Sequence, residues 1–235
     1  MSTNPFQEHD FSYFEGLVKN GLKTVIVDID GTLVDSDIIR PYFYLKRSKS
    51  RYRFSHYWWL VWVHIFYGPY YKLLDAIDRS LFQRAFYKRY YAFTHEEVVS
   101  SGKAFFNDVL RHRFIPYTHD LLFFLKERDV KVVLLSTALE SVVKPLADYF
   151  GLPYHCPGIG SDNERCGINT SGLCDFKYYF IIKSDPKGLM VIADSRHDLP
   201  ILTYAEFPVV VAKKRMRWMK QTGGKIVISN SLEDI

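Results

Sequence analysis

Five short apolar runs punctuate the chain: "TVIVDI" from Thr24, "VKVVLL" from Val130, "LMVIA" from Leu189, "FPVVVA" from Phe207 and "KIVIS" from Lys225. Each is nearly continuous and rich in β-branched residues, the pattern of a strand buried on both faces in a parallel sheet covered by helices. Between the second and third runs, "ALESVVKPLADYFG" places Val142, Val143, Leu146 and Phe150 at roughly helical spacing and stops at Gly151. Strand and helix patterns alternate, so the expected class is α/β. Ligand sites in such folds lie at the carboxyl ends of the strands.

The interval from Asp30 to Val130 breaks this rhythm, being far longer than a simple crossover needs. From Ile38 to Phe114 it reads as consecutive helices: "IIRPYFYLKR", "HYWWLVWVHIFY", "YYKLLDAIDRSLFQRAFYKRYYAF" and "THEEVVSSGKAFFNDVLRHRF". Thr94 followed by Glu97 is a capping box for the last of them. The expected organisation is an α/β core of residues 1–37 and 115–235 with an all-helical cap, residues 38–114, inserted into it.

Within the insert, the segment from Tyr57 to Tyr71 carries eight aromatics, Trp58, Trp59 and Trp62 among them, and follows Lys46, Arg47, Lys49, Arg51 and Arg53. Its apolar run contains His64 and is well short of the ~20 residues needed to cross a bilayer. Two destinations stay open, an interfacial helix in the headgroup layer or a cap helix packed against the core.

Composition narrows the class. Of 235 residues, 48% are hydrophobic and 24% charged, a globular balance that excludes wholesale disorder. The net charge of +5 weakly favours anionic partners. Lys213, Lys214, Arg215, Arg217 and Lys220 read as the solvated face of a late helix, and no nucleic-acid partner is expected, since no recognition motif accompanies them. Cys156, Cys166 and Cys174 lack zinc-knuckle spacing and read as reduced thiols, with a single disulfide as the alternative. The N-terminus has no basic flank followed by a continuous apolar stretch, so cytoplasmic residence is expected, with peripheral membrane contact through the cap as the variant.

The chemistry gathers where the first run meets "DIDGTLVD". Asp28 and Asp30, one residue apart, point the same way if strand geometry persists. Two ionised carboxylates at one strand end repel, so a cation between them or a proton on one is required, and Mg²⁺ suits oxygen ligands shared with a phosphate. Gly31 and Thr32 supply the turn out of the strand. Ser136 and Thr137 end the second run, Asp194 and Asp198 follow the third, and Lys177 opens a short helix that also holds Lys183.

"DIDGTLVD", "LLSTALESVVKPLADYFGL", Lys177 and "ADSRHDLPIL" resemble, in order, the four motifs of the haloacid dehalogenase superfamily of phosphatases. The nearest branch is the phosphoserine-phosphatase-like subfamily IB, and the resemblance runs from about Lys23 to Ile228. It implies a Rossmann-like core with a helical cap and a Mg²⁺-dependent phosphomonoester phosphatase. Asp28 would be the nucleophile, forming an aspartyl-phosphate, and Asp30 the general acid and base. Gly31, Thr32, Ser136, Thr137 and Lys177 would bind phosphate, with Lys183 as the alternative lysine. Asp28, the Asp30 carbonyl and Asp194 would hold the metal, and Asp198 would orient Lys177 or a water on the ion.

Ala193 and His197 depart from the family's usual Gly and Asn without removing a ligand. Asp37 stands where phosphoserine phosphatases carry a Glu that reads the substrate amine. The substrate is expected to be a small phosphorylated metabolite; the alternatives are a lipid phosphate of the phosphatidylglycerophosphate type met at the membrane surface, or a non-catalytic membrane- or protein-binding module on the same fold. A dehalogenase would not need Asp30, and a phosphomutase usually carries a different cap.

Overall fold

The computed structural model describes residues 9–49, 68–162, 165–168, 173 and 176–228. Trp58, Trp59, Trp62, His64 and Cys174 lie outside them. After α1 (Ser12–Lys19), β1 (Thr24–Val27) runs into the aspartate loop. The helical interval then comprises α2 (Arg40–Lys49), α3 (Gly68–Ile77), α4 (Arg79–Tyr87) and α5 (His95–Asp108), with 3₁₀ turns at Lys88–Ala92 and Leu110–His112. The rest alternates: α6 (Pro116–Lys126), β2 (Lys131–Leu135), α7 (Glu140–Phe150), β3 (Tyr154–His155), the hairpin β4 (Ile159–Asp162) and β5 (Arg165–Ile168), α8 (Phe176–Ile181), β6 (Leu189–Ala193), α9 (Leu199–Tyr204), β7 (Phe207–Ala212) and β8 (Lys225–Ile228).

Six strands form one parallel sheet in the order β3-β2-β1-β6-β7-β8. Burial on both faces follows from the continuous apolar runs. Val25 and Val27 face one buried cluster with Met190 and Ile192, whereas Ile26 faces the other with Leu189, Val191 and Ala193. This is the two-residue alternation of a strand with a core on either side. Because β1 lies between β2 and β6, the residues following all three strands emerge side by side at one edge.

Two local expectations change. The long stretch from Tyr70 to Phe93 is not one helix, because the Asp78 carboxylate accepts the Ser80 N–H at 2.7 Å and caps a new helix, α4. Lys213–Lys220 is likewise not an α-helix but an exposed turn running into the 3₁₀ segment Arg217–Thr222. The capping box forms as read, with Glu97 N–H donating to Thr94 Oγ1 at 3.2 Å and Thr94 N–H to Glu97 Oε2 at 3.0 Å. Cys156 and Cys166 are free thiols, which burial pushes up to about 12 and about 11. Among the described residues, no helix is long and apolar enough to cross a membrane.

The helical interval rests directly on the sheet's own helices. A Cβ on Gly102 of α5 would lie 2.2 Å from the Ser141 carbonyl oxygen of α7, so these helices meet backbone to backbone. Gly102→Ala is therefore expected to destabilise the protein by about 1–3 kcal/mol through overpacking. Urea unfolding checks this; an unchanged midpoint would show that the helices can part freely there.

Candidate active site

The sheet edge brings the motif residues together. Asp28 extends β1 by one pairing, its N–H donating to the Ile192 carbonyl at 2.9 Å. The chain then wraps tightly, with Leu33 and Val34 N–H donating to Ile29 O at 2.9 and 3.0 Å and Gly31 N–H to Val34 O at 2.8 Å. Gly31 has φ +77°, and a Cβ there would sit 2.2 Å from Asp194 Oδ2. The turn thus needs glycine twice over, for its backbone angle and for the approach of the β6 carboxylate.

Asp194 follows β6 directly. Ser195 Oγ accepts the His197 N–H at 3.2 Å, starting the 3₁₀ turn Arg196–Asp198 that brings buried Asp198 back to the edge. Carboxylate oxygens of Asp28, Asp194 and Asp198 lie within 4.8 Å of one another. Lys177, the second residue of α8, places Nζ 2.8 Å from Asp28 Oδ1 and 2.8 Å from Asp198 Oδ1. Lys183 lies beyond the end of α8, in an exposed turn, and takes no part.

These positions bound a cavity of about 1040 Å³, lined on the core side by Asp28, Asp30, Gly31, Ser136, Thr137, Lys177 and Asp194. Ser136 Oγ accepts the Ala138 N–H at 3.0 Å, so its proton remains available to a ligand oxygen. Thr32 is not brought to the cavity: it is fully buried, and its hydroxyl donates to Asp194 Oδ1 at 3.4 Å. Asp37 stands on the rim with its carboxylate engaged at the entry to α2, Oδ1 accepting the N–H groups of Ile39 at 2.8 Å and Arg40 at 3.0 Å.

Sequence reading missed the contribution of the helical interval. Gln83 Nε2 donates to Thr137 Oγ1 at 2.8 Å, and the buried Tyr87 hydroxyl donates to the Thr137 carbonyl at 2.6 Å. Arg79, paired with Asp75 at 3.2 Å, lines the cavity, as does Arg196 from the core. The only local signal was Asp78, whose capping role sets where α4 begins and hence which way Arg79 and Gln83 face.

Electrostatics follow from three carboxylates crowded at one buried edge. Burial raises Asp28, and the Asp198 charge adds to it against the pull of Lys177. Burial and then the charges of Asp28 and Asp198 raise Asp194. Asp30 is pushed up to about 7 by burial, then by Asp28 and Asp37. Lys177 is raised too: burial opposes its charge, but Asp198 and Asp28 outweigh it.

A raised carboxyl pKa means that the folded state holds a proton the unfolded chain has released. The stabilisation is complete below the unfolded value of 3.8 and is lost as pH rises through about 7. Without divalent metal, Asp30→Asn is thus expected to match the wild type at low pH and to melt higher at about pH 8, by about 2–4 °C per kcal/mol of relieved strain. Differential scanning calorimetry in EDTA checks it; a gap that closes with rising pH would refute the assignment.

The donor set fits a hard divalent cation, since it is all carboxylate and glycine at position 31 leaves Asp194 its place. Three acidic groups, a fixed lysine and a strand-end serine thus gather at the carboxyl edge of a parallel sheet in an α/β protein. The model for haloacid dehalogenase-like hydrolases matches residues 25–203. The chain belongs to that family.

Among solved structures, a protein of unknown function from Bordetella pertussis Tohama I aligns at TM-score 0.63 and 14% identity, covering 87% of this chain and 98% of its own. A phosphoserine phosphohydrolase-like protein from Francisella tularensis subsp. tularensis SCHU S4 aligns at 0.58 and 17%, covering 88% and 95%. A phosphoserine phosphatase solved as a phospho-aspartyl intermediate analogue aligns at 0.56 and 13%, covering 89% and 94%. At these identities the likeness is one of fold. No curated protein matches the sequence.

Proposed function

We propose that this hydrolase is a Mg²⁺-dependent phosphomonoester phosphatase acting on a small phosphorylated metabolite through an aspartyl-phosphate on Asp28, with residues 38–114 as its cap. The observation that carries this reading is Lys177 bridging Asp28 and Asp198 beside Asp194 and Ser136. The Asp28 carboxylate attacks phosphorus, the P–O bond to the alcohol breaks, and Asp30 gives the leaving oxygen its proton. Asp30 then takes a proton from the water that attacks the phosphoryl group and frees Asp28. A group poised at about 7 suits both roles at neutral pH.

Lys177 and the Ser136 hydroxyl hold the transferring phosphoryl oxygens, and Asp198 fixes the lysine. Asp28 and Asp194 are the candidate metal ligands, and Asp198 is close enough to join them. A bound Mg²⁺ would offset phosphoryl charge and let Asp28 ionise. Phosphate release from an aryl phosphate is expected with Mg²⁺ and not with EDTA, and release that survives chelation sinks the reading. A lipid phosphate is the second substrate class, favoured by one feature: Ile77, on the lip of the cavity, is two-thirds exposed.

A further inference from the structure

We propose that the rim of the cavity is a docking face for an anionic lipid bilayer, formed by an apolar stripe of α3 and the basic loop that follows β7. None of the α3 residues is buried. Tyr70, Leu73 and Ile77 are 49%, 60% and 67% exposed, and their spacing of three and then four residues puts them on one helical stripe. The stripe leads into the site, because Ile77 and its neighbours Asp75 and Ala76 line the cavity.

The second half of the face comes from the core. β7 ends at Ala212, at the same edge of the parallel sheet as Asp28, Ser136 and Asp194, and Lys213, Lys214, Arg215 and Arg217 follow, all exposed. No acidic residue lies between Lys213 and Lys220, and Met216 in their midst is 51% exposed. Lys213 Nζ lies 3.3 Å from Asp35 Oδ1, and the next residues along, Ser36 and Asp37, line the cavity. The stripe thus runs into the cavity, and the loop is tied to the aspartate loop just before the residues that line it.

A phosphate polymer such as nucleic acid offers partners for the basic loop and a base to stack on Tyr70, but none for Leu73 and Ile77, the more exposed part of the stripe. A bilayer surface offers both, anionic headgroups over an apolar layer reached within about 5–10 Å. The charge of the loop and the continuity of the stripe with the cavity commit the face to that occupant. A bilayer held there would present headgroup phosphates to the opening, which is how the second substrate class, a lipid phosphate, would reach Asp28. That last step rests on the phosphatase reading; the docking does not.

The test is sedimentation of the full chain with phosphatidylcholine vesicles, with or without phosphatidylglycerol. Binding is expected only with the anionic lipid, and is lost near 1 M salt, where the Debye length is about 3 Å. Combined Lys214→Glu, Arg215→Glu and Arg217→Glu should weaken binding on the order of a hundredfold, with aryl phosphate hydrolysis unchanged as proof of folding. Leu73→Ser with Ile77→Ser should weaken it about tenfold and leave the salt dependence intact. Binding that is equal on neutral vesicles, indifferent to both variants, or found for RNA and not for vesicles overturns the proposal. Vesicle binding without aryl phosphate hydrolysis would sustain the docking face and refute the phosphatase.

Discussion

Asp28→Asn is expected to lower aryl phosphate turnover by about 10⁴-fold or more, because an amide oxygen in the same place is no nucleophile toward phosphorus. The loss should come without unfolding. Lys177 keeps its partner in Asp198, 2.8 Å away, so no buried charge is stranded. The substitution also removes a carboxylate whose pKa is raised by burial, so at about pH 8 in EDTA the variant should melt no lower than the wild type. Turnover and calorimetry on one preparation decide it: residual activity near wild type refutes Asp28 as nucleophile, and joint loss of activity and stability makes it a structural anchor instead.

Lys177→Met should behave in the opposite way. It leaves buried Asp28 and Asp198 facing each other with their shared cation gone. Breaking such an arrangement from one side costs about 3–5 kcal/mol at pH values where both acids are ionised. Lys177 holds Asp28 down, so without it the acid takes up its proton at higher pH, and in EDTA the cost should shrink as pH falls towards about 6. Added Mg²⁺ should restore part of the stability at about pH 8 and little of the activity, since a removed phosphoryl donor alone costs on the order of 10²–10³ in rate. Urea midpoints equal to wild type at both pH values would show that the lysine is dispensable to the cluster.

The sheet was legible because strands buried on both sides leave an unmistakable run of branched apolar residues, and the capping box at Thr94 because its two hydrogen bonds are local. The strand-end aspartates, Ser136 and Lys177 were legible from motif order. What escaped depends on contacts distant in sequence. Asp78 reads as one more helical residue until its side chain is seen capping α4, and Gln83 and Tyr87 resemble core-facing helix positions until Thr137 is opposite them. Lys183 looked like a helix residue because nothing local marks Ile181 as the end of α8. Asp37 also spends Oδ1 on the turn into α2, a role that shows only once Ile39 and Arg40 are placed over it. The hairpin β4–β5 is too short to leave a pattern, although Cys166 N–H donates to the Phe93 carbonyl at 2.9 Å and ties it to the helical interval.

The bonds from Gln83 and Tyr87 to Thr137 bear on how this protein could be rebuilt. A grafted helical segment that lacked an amide and a phenol at these two places would leave a carbonyl beside Ser136 stripped of its donor. The helices before Phe114 and the loop after β2 are therefore not interchangeable parts. A chimera must carry residues 83, 87 and 137 as one inherited unit, or the loop that holds Ser136 loses its setting.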